Sequence, residues 1–508
     1  MVVQHNLRAM NANRMLGITT GTLSKSSEKL SSGYKINRAA DDAAGLAISE
    51  KMRKQMRGLT QASANAEDGI SAVQTAEGAL TEVHDMLQRM NELAVKAANG
   101  TNALSDRQTI QDEVDQLLTE IDRVAETTKF NEIYLLKGDA DRVTKYLEAK
   151  DAGLKGSLAE SATKASFTMD RLKLGDSITI AGKEYRIGVK GDADGIQAIQ
   201  DAITASITNG AATTYPGDNS ADASAMAGAY IDLDGTQYTV VTDDSQINTD
   251  KNMLTLSKIM DKITEGSTVK YNGNIYRAMV DNVKTDQSAG EDGIDDEDAS
   301  FITDAQAYKM IHQELGLANN VGANKTNSNV DVKITDEAGN EVADITAAGA
   351  DTSTLTGKKI TFAFDKGQYT AQESLYFSIH AGADADMNNK IGIQIDALDT
   401  KGLGIDGLNV KDTTSAAATY AIDSIAEAIA HVSKQRSMIG AIQNRLEHTI
   451  NNLDNIVENT TAAESTIRDT DMATEMVKYS NANILQQAGQ SMLAQSNQAN
   501  QGVLSLLQ

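Results

Sequence analysis

Residues 52–97, MRKQMRGLTQASANAEDGISAVQTAEGALTEVHDMLQRMNELAVKA, carry the clearest periodic pattern in this chain. Their apolar side chains recur at steps of three and four residues, close to the ~3.5-residue repeat of a coiled-coil seam. The seam positions are Met52, Met56, Leu59, Ala62, Ala66, Ile70, Val73, Ala76, Leu80, Val83, Leu87, Met90, Ala94 and Ala97. At ~1.5 Å per residue this helix is roughly 70 Å long, which no compact domain needs. The stretch therefore predicts a helical rod.

Two further helices have a similar period. Asn99-Gly100 predicts the end of the first helix, and Ser105 with Gln108 predicts a capping box that opens the second. The second seam comprises Ile110, Val114, Leu117, Ile121 and Ala125. A third helix is predicted from about Ala416 to Asn459, with a seam at Ile422, Ile425, Ile429, Val432, Ile439, Ile442, Leu446, Ile450, Leu453 and Val457. Because these seams come from both ends of the chain, they indicate an antiparallel bundle.

The outermost stretches, residues 1–37 and 472–507, have weaker apolar faces interrupted by small and polar residues. Short isolated helices are marginal in water, so neither stretch is expected to bury its apolar face alone. We predict that both ends become ordered on assembly.

The middle of the chain, residues 138–373, is predicted to be rich in β-structure. Three Gly-x-x-Tyr turns lie between alternating strand residues, at Gly182–Tyr185, Gly235–Tyr238 and Gly273–Tyr276. A helix-like stretch follows each turn, at Ile196–Ile207, Met253–Ile263 and Ala305–Leu315. One interpretation is three ββα units, and the alternative is chance recurrence of the turn. Residues 330–372 predict further strands, so the expected fold class is α+β multidomain, with an antiparallel helical rod and inserted outer domains.

Composition excludes several classes of function. The net charge of −25 argues against a nucleic-acid partner, because phosphate binding needs a basic face. The absence of cysteine excludes disulfides and thiolate metal sites. No run approaches the ~20 apolar residues of a membrane span, so no membrane partner is expected. The N-terminal stretch lacks the apolar core and cleavage site of a secretory signal, so we expect export without cleavage.

The sequence also lacks patterns typical of enzymes. The six histidines are scattered, with none at a zinc-binding spacing, and no P-loop or nucleophile elbow is present. The G-x-G-x-x-G match at Gly402–Gly407 is not followed by the start of a helix, so it predicts a turn. The acidic loops around residues 291–299 and 384–388 lack the glycine and distal glutamate of an EF-hand. We therefore predict a protein without catalytic activity, cofactor or metal.

Several motifs together resemble the bacterial flagellin family. The N-terminal ones are LSSGYKINRAADDAAGLAISEKMRKQMRGL at 30–59, AEGAL at 76–80 and QRMNELAVKAANGT at 88–101. The C-terminal ones are NRLEHTINNL at 444–453, ILQQAGQSMLAQSNQ at 484–498 and VLSLLQ at 503–508. The resemblance implies three parts. These are an inner coiled-coil core of residues 1–43 with 460–508, a helical rod with a small β element of 44–137 with 374–459, and an inserted variable region of 138–373.

The resemblance implies a structural subunit that polymerises with itself into the extracellular filament used for motility. It also implies a flagellar export chaperone and a cap protein as partners. The expected self-assembly residues are Leu7, Ile18, Leu30, Ile484, Leu485, Met492, Leu504, Leu506 and Leu507. Three alternatives remain open: a hook–filament junction protein, a flagellin with an enzymatic insert, and a filament adhesin.

Immune recognition is the second implication of the resemblance. Flagellins similar to those of enteric bacteria bind Toll-like receptor 5, and the matching positions here are Gln88, Arg89, Leu93, Ile110, Glu113, Gln116 and Leu117. The structural alternative is that Leu93 belongs to the bundle core while Arg89 and Glu113 are solvated. Asn91 and Leu117 stand where many receptor-active flagellins carry arginine. The terminal leucines resemble the stretch recognised by NAIP inflammasome sensors, although Gln508 replaces a common arginine.

Overall fold

The computed structural model describes residues 6–208, 230–241, 244–281, 292–323, 333–337, 358–412 and 416–505, with the backbone alone for 500–505. Eight α-helices lie in these ranges: α1 Leu7–Ser32, α2 Ala43–Ala98, α3 Leu104–Thr127, α4 Ala193–Thr208, α5 Leu256–Met260, α6 Asp304–Asn320, α7 Ala416–Arg468 and α8 Met472–Ser505. The predicted α+β class is confirmed, since the long helices come from the two chain ends and the strands lie between them.

Nineteen strands lie in the same described ranges. They are β1 Lys129–Phe130, β2 Ile133–Tyr134, β3 Arg142–Tyr146, β4 Ser157–Glu160, β5 Lys164–Asp170, β6 Ser177–Ile180, β7 Lys183–Ile187, β8 Val189–Lys190, β9 Tyr230–Leu233, β10 Thr236–Val241, β11 Met253–Thr255, β12 Thr268–Tyr271, β13 Asn274–Met279, β14 Phe301–Ile302, β15 Lys333–Asp336, β16 Lys359–Asp365, β17 Gln368–Gln372, β18 Leu375–His380 and β19 Lys390–Ile395. Strands β15 to β17 confirm the prediction of strands within residues 330–372.

The chain divides into two compact units. The first unit comprises Met1–Glu77, Tyr376–Gln394 and Arg436–Gln508, and the second comprises Gly78–Leu375 and Ile395–Gln435. Helices α2 and α7 each contribute residues to both units. The three domains predicted from the sequence have boundaries that differ from those of these two units. That division stays a prediction.

In the first unit, α1 and α8 pack against each other in antiparallel directions. At the start of α1, Asn6 Nδ2 donates a hydrogen bond to the carbonyl oxygen of Ser496 near the end of α8, at 3.2 Å. At the other end, the Ser26 hydroxyl donates to Glu475 Oε1 in the first turn of α8, at 2.7 Å. Helix α1 ends at Ser32, and Gly33 follows with a φ of +76°, in the left-handed conformation that commonly closes a helix.

Tyr34 holds the connection after α1 against the junction between α7 and α8. The guanidinium carbons of Arg53 and Arg468 lie 5.4 and 4.9 Å from the centre of its ring. Arg53 also pairs with Glu464 at 3.0 Å, and Arg468 pairs with Glu50 at 2.8 Å. These five residues form the Tyr34 cluster, which joins α2, α7 and the segment between α1 and α2.

The hairpin of β18 and β19 packs against α2 within the first unit. A Cβ atom at Gly69 of α2 would lie 1.9 Å from Ile379 Cδ1, and one at Gly58 would lie 2.8 Å from Ala383 Cβ. Asn65 Nδ2 donates to the carbonyl oxygen of His380 at 3.1 Å. The glycines therefore allow the hairpin to approach the helix closely. The hairpin lies in the segment for which the resemblance implies a small β element.

In the second unit, Arg107 joins three segments. Its side chain is almost fully buried, and its Nε donates to the carbonyl oxygen of Ala97 in the last turn of α2, at 3.1 Å. Its Nη1 donates to the carbonyl oxygen of Asp412 at 2.7 Å. Arginine thus provides donors for a helix C-terminus, whose last carbonyl groups lack partners within the helix.

Two predicted helix limits were wrong. Helix α3 begins at Leu104, and the Ala103 N–H donates to the Asp106 carboxylate at 3.3 Å, so the capping position lies two residues before the predicted Ser105. Helix α7 continues past the predicted end near Asn459 to Arg468. The continuation carries Glu464 and Arg468, whose side chains belong to the Tyr34 cluster.

All three Gly-x-x-Tyr turns form the predicted hairpins, β6–β7, β9–β10 and β12–β13. The two central residues of each turn have positive φ, which matches the favoured two-residue hairpin turn. In each hairpin the tyrosine lies opposite a β-branched residue, with the pairs Tyr185–Ile178, Tyr238–Ile231 and Tyr276–Val269. The recurring sequence pattern is therefore also a recurring local structure.

The helices after the first and third hairpins each pack against a hairpin other than the one that they follow. Helix α4 follows the first hairpin, but its Ile199 and Ile203 pack into the core beneath the second and third hairpins. Helix α6 follows the third hairpin, but its Tyr308 and Ile311 pack with Ile180 of the first. Strands β8 and β14 cross in the same way, pairing in parallel with β13 and β7. The hairpin-helix units therefore do not each enclose a core of their own.

The second helix-like stretch differs from its prediction. Residues Met253–Thr255 form β11, which pairs in parallel with β10, and only Leu256–Met260 is helical. Hairpins two and three share one sheet of order β11-β10-β9-β12-β13-β8, while the first lies in a sheet of order β14-β7-β6. Pairing with β10 thus overrides the helical pattern at these three residues.

Lys150 links the insert to α7 through a buried polar network. Its side chain is 5% exposed, its Nζ contacts the Ser424 hydroxyl, and it lies 3.9 Å from the Glu427 carboxylate. The Lys150 backbone N–H donates to Asn319 Oδ1 at 2.8 Å, and Asn319 Nδ2 donates back to the Lys150 carbonyl oxygen at 2.9 Å. Burial lowers the pKa of Lys150 and raises the pKa of Glu427 to about 7, because it disfavours both charged forms.

Replacing Tyr34 by leucine is expected to lower the free energy of unfolding by about 1–2 kcal/mol, because two cation–π contacts are lost. Tyr34→Phe is the matched control, since it keeps the ring and removes only the hydroxyl. Urea unfolding followed by circular dichroism measures the difference. Equal stabilities of the two variants would show that the ring contacts contribute nothing.

The raised pKa of Glu427 predicts that the free energy of unfolding depends on pH. Its pKa rises from 4.5 to about 7 on folding, so the folded chain binds this proton more tightly than the unfolded chain. The resulting stability is present below pH 4.5 and is lost as the pH rises towards 7. In Glu427→Gln, the decrease in unfolding free energy between pH 5 and pH 7.5 should be smaller than in the unchanged protein. Glu458→Gln, an exposed position on the same helix, should leave that decrease unchanged, and an unchanged decrease in Glu427→Gln would contradict the assignment.

Candidate assembly interface and recognition surface

The contact between α1 and α8 is made mostly by small and polar side chains, with leucine at a minority of positions. The less exposed positions of α8 recur at steps of four and three, at Glu475, Tyr479, Ala482, Gln486, Gly489, Leu493 and Ser496. Those of α1 recur in the same way, at Ala9, Ala12, Leu16, Thr19, Leu23, Ser26 and Leu30. We call these two rows the terminal seam. Its period is that of a coiled coil, but it contains few of the large apolar residues that normally fill one.

Close approach and buried polar pairing explain how this seam packs. A Cβ atom at Gly489 would lie 3.3 Å from Leu16 Cδ1, so glycine leaves room for the leucine. Glu475 is 6% exposed, and the hydrogen bond from the Ser26 hydroxyl keeps the pKa of its carboxyl below the usual value. A buried carboxylate is tolerated because it has a hydrogen-bond partner.

Most of the large apolar side chains in the described part of these helices lie outside the seam. Ten of them are between 50% and 69% exposed: Leu7, Met10, Met15, Ile18, Met472, Met476, Val477, Ile484, Leu485 and Met492. We call these ten residues the terminal apolar face. Isolated exposed apolar residues are ordinary, but ten on one helix pair are typical of an interaction surface.

The structure places the predicted assembly residues in three groups. Leu7, Ile18, Ile484, Leu485 and Met492 lie on the terminal apolar face. Leu30 is half-buried in the terminal seam. The side chain of Leu504, together with Leu506 and Leu507, lies outside the described residues. The sequence prediction named five of the ten exposed apolar residues and one residue of the seam, Leu30, but not the other seam residues, most of which are small or polar.

The predicted receptor residues all belong to the second unit, some on its surface and some in its interior. Arg89 and Glu113 have side chains 52% and 45% exposed, and Arg89 Nε donates to Glu113 Oε1 at 3.0 Å. Arg89 also pairs with Glu92 at 3.0 Å, and these hydrogen bonds, first that to Glu113, raise the pKa of the guanidinium. The structure therefore brings these charged groups of α2 and α3 together on one surface.

The remaining members of this set lie beside or beneath that pair. Gln88 and Gln116 are exposed, and Leu117 is half-buried. Leu93 and Ile110 are 3% and 5% exposed, respectively, in the bundle interior. The burial of Leu93 matches the alternative that this side chain belongs to the bundle core, and Ile110 is buried in the same way.

The described residues contain no cluster of three His, Cys, Asp or Glu side chains that could hold a metal ion. Among the described helices, none is both long enough and apolar enough to cross a membrane.

Two family models match the chain at its ends. The bacterial flagellin N-terminal helical region matches residues 3–141, and the bacterial flagellin C-terminal helical region matches residues 422–507. A flagellin of Clostridium tyrobutyricum is 35% identical over 501 residues, covering 99% of this chain and 100% of that protein. This chain belongs to the bacterial flagellin family.

Other relatives cover this flagellin equally well. A flagellin of Salmonella typhimurium is 34% identical over 527 residues, covering 98% of this chain and 99% of that protein. One of Halalkalibacterium halodurans is 30% identical over 507 residues, covering the full length of both. The protein is accordingly a structural subunit of the bacterial flagellar filament, and its family is one of structural proteins that form this extracellular polymer.

Proposed function

We propose that this flagellin polymerises through the terminal apolar face. The observation that supports the proposal is the exposure of ten large apolar side chains on α1 and α8. At ~25 cal/mol per Å² of apolar surface removed from water, such side chains stabilise an interface strongly when other copies cover them. The terminal seam supplies less of this burial, because small and polar residues occupy most of its positions.

An open polymer follows when each copy contacts the next through different surfaces and the rotation does not close. The ends of each chain would then be stabilised by their neighbours. Export of the chain with its ends unfolded, handling of the C-terminal stretch by a flagellar export chaperone, and addition beneath a cap protein belong to the same proposal. So does secretion without a cleaved signal. A junction protein would share these helices but would stop at short stubs, and an adhesin role of the insert is compatible with polymerisation.

The double substitution Ile18→Glu with Ile484→Glu should lower the filament yield at least tenfold. Two carboxylates would have to be desolvated in the interface, which costs far more than an exposed substitution. Ser24→Glu with Gln490→Glu is the matched control, because it adds the same charge at exposed polar positions of the same helices. Negative-stain microscopy after seeded, slow-cooled polymerisation measures the yield, and circular dichroism checks that helix content is unchanged. Normal filaments from the isoleucine variant would refute this interface.

We also propose that host Toll-like receptor 5 recognises the second unit around Arg89 and Glu113. The support is their exposure and their mutual hydrogen bond, which presents a fixed arrangement of charged groups. Gln88, Gln116 and Leu117 border this pair. Leu93 and Ile110 would contribute indirectly, because their buried side chains hold α2 and α3 in a fixed relative position. Recognition of Leu504, Leu506 and Leu507 by NAIP sensors is a separate proposal, carried only by the sequence resemblance.

Arg89→Ala and Glu113→Ala are each expected to weaken binding to the purified receptor ectodomain by about tenfold, equal to ~1.4 kcal/mol. Because the two residues bond each other, the double variant should lose less than the sum of the single losses. Arg123→Ala is the matched control, since Arg123 is a similarly exposed arginine of α3, paired with Glu120. Surface plasmon resonance measures the affinities, and equal affinity of all variants would contradict the proposal.

A further inference from the structure

We propose that Met10, Met15, Met472, Met476 and Met492 are reversible oxidation sites that switch off assembly of the free subunit. Peroxide oxidises these five thioethers while the chain is a monomer, and incorporation into a filament protects them. This inference rests on the proposed assembly interface.

The composition of this chain makes methionine its most readily oxidised side chain. It contains 18 methionines but neither cysteine nor tryptophan. Thiolates are the usual first targets of peroxide, and methionine is the next side chain that oxidises readily and reversibly. Without cysteine, two-electron oxidation of this protein falls on its thioethers.

The fold then selects among the methionines by exposure. The five proposed residues are between 50% and 64% exposed and make up half of the ten residues of the terminal apolar face. Met90 and Met279, in contrast, have no exposed surface, and Met169 and Met260 are nearly buried. Because reaction requires contact with the oxidant, the assembly surface becomes the oxidation-sensitive surface. Outside the two terminal helices, Met387 is also strongly exposed.

The chemistry is a transfer of one oxygen atom. A lone pair of the methionine sulfur attacks an oxygen of hydrogen peroxide, the O–O bond breaks, and the S–O bond of the sulfoxide forms. The sulfur loses two electrons, and the peroxide is reduced to water. Methionine sulfoxide reductases reverse the step, one enzyme for each sulfoxide epimer.

The product is incompatible with a buried apolar contact. A sulfoxide is polar and accepts hydrogen bonds, so burying it without a partner is unfavourable. Five such groups in every copy act together at each repeat of the interface. Polymerisation would therefore stop while the fold of each subunit, whose cores use the buried methionines, stays intact.

The test compares peroxide treatment of the full-length monomer and of preformed filaments. Treated monomer should lose at least tenfold in filament yield, and both reductases with a thiol reductant should restore it. Peptide mass spectrometry should find sulfoxide at the five residues at least tenfold faster in monomer than in filament. Met90 and Met279 should remain unoxidised in both forms.

Variants assign the effect to the five residues. Replacing all five by leucine keeps the face apolar, so this variant should polymerise equally well before and after peroxide. Met387→Leu is the matched control and should remain as sensitive as the unchanged protein. Undiminished assembly after complete oxidation of the five, or equal oxidation rates in monomer and filament, would overturn the inference.

Failure of the interface proposal gives a different result. Normal assembly of the Ile18→Glu, Ile484→Glu variant would exclude the terminal apolar face itself. If that variant fails to assemble while fully oxidised protein still assembles, the interface stands and only the oxidation switch is wrong.

Discussion

The terminal seam between α1 and α8 is the contact that holds the two ends of this chain together. Alanine, glycine, serine and glutamine let the two helices approach closely, but they bury little apolar surface. Ordering the two long helices costs conformational entropy that such a contact offsets only in part. Most of the large apolar side chains described on these helices are meanwhile exposed outside the seam. In a single copy, this helix pair therefore leaves much of its apolar surface in contact with water.

Polar groups fix the places where the chain changes direction. Tyr34 lies beneath two arginines at the connection after α1, and Arg107 provides donors at the end of α2. Lys150 joins the start of the insert to α7 through Ser424 and Glu427. Each of these side chains replaces water at backbone or charged groups that a packed structure would otherwise leave unpaired. Directional bonds are suited to this task, because apolar packing alone does not specify an angle between segments.

The packing of α4 and α6 on distant hairpins connects the parts of the inserted region to one another. Since α4 and α6 each pack on hairpins that they do not follow directly, the cores beneath the hairpins depend on distant parts of the sequence. A linear series of independent units would allow each hairpin to unfold alone. The crossing of β8 and β14 into neighbouring sheets adds backbone hydrogen bonds to the same connection. Local repetition in the sequence therefore coexists with cooperative packing.

The sequence by itself determined the long helices, the three hairpin turns and the family. The helices follow from the hydrophobic period, the turns from their residue types, and the family from short motifs. Each of these signals depends only on residues that are close together in the chain. The family resemblance also led to the prediction that Ile18 and Ile484 are assembly residues, and the structure leaves both side chains exposed. Only the tertiary structure decided that Leu93 is buried while Arg89 meets Glu113, and that α4 and α6 exchange hairpins. The physical reason is that burial and pairing between distant segments depend on how helices and sheets are placed, which local periodicity does not encode.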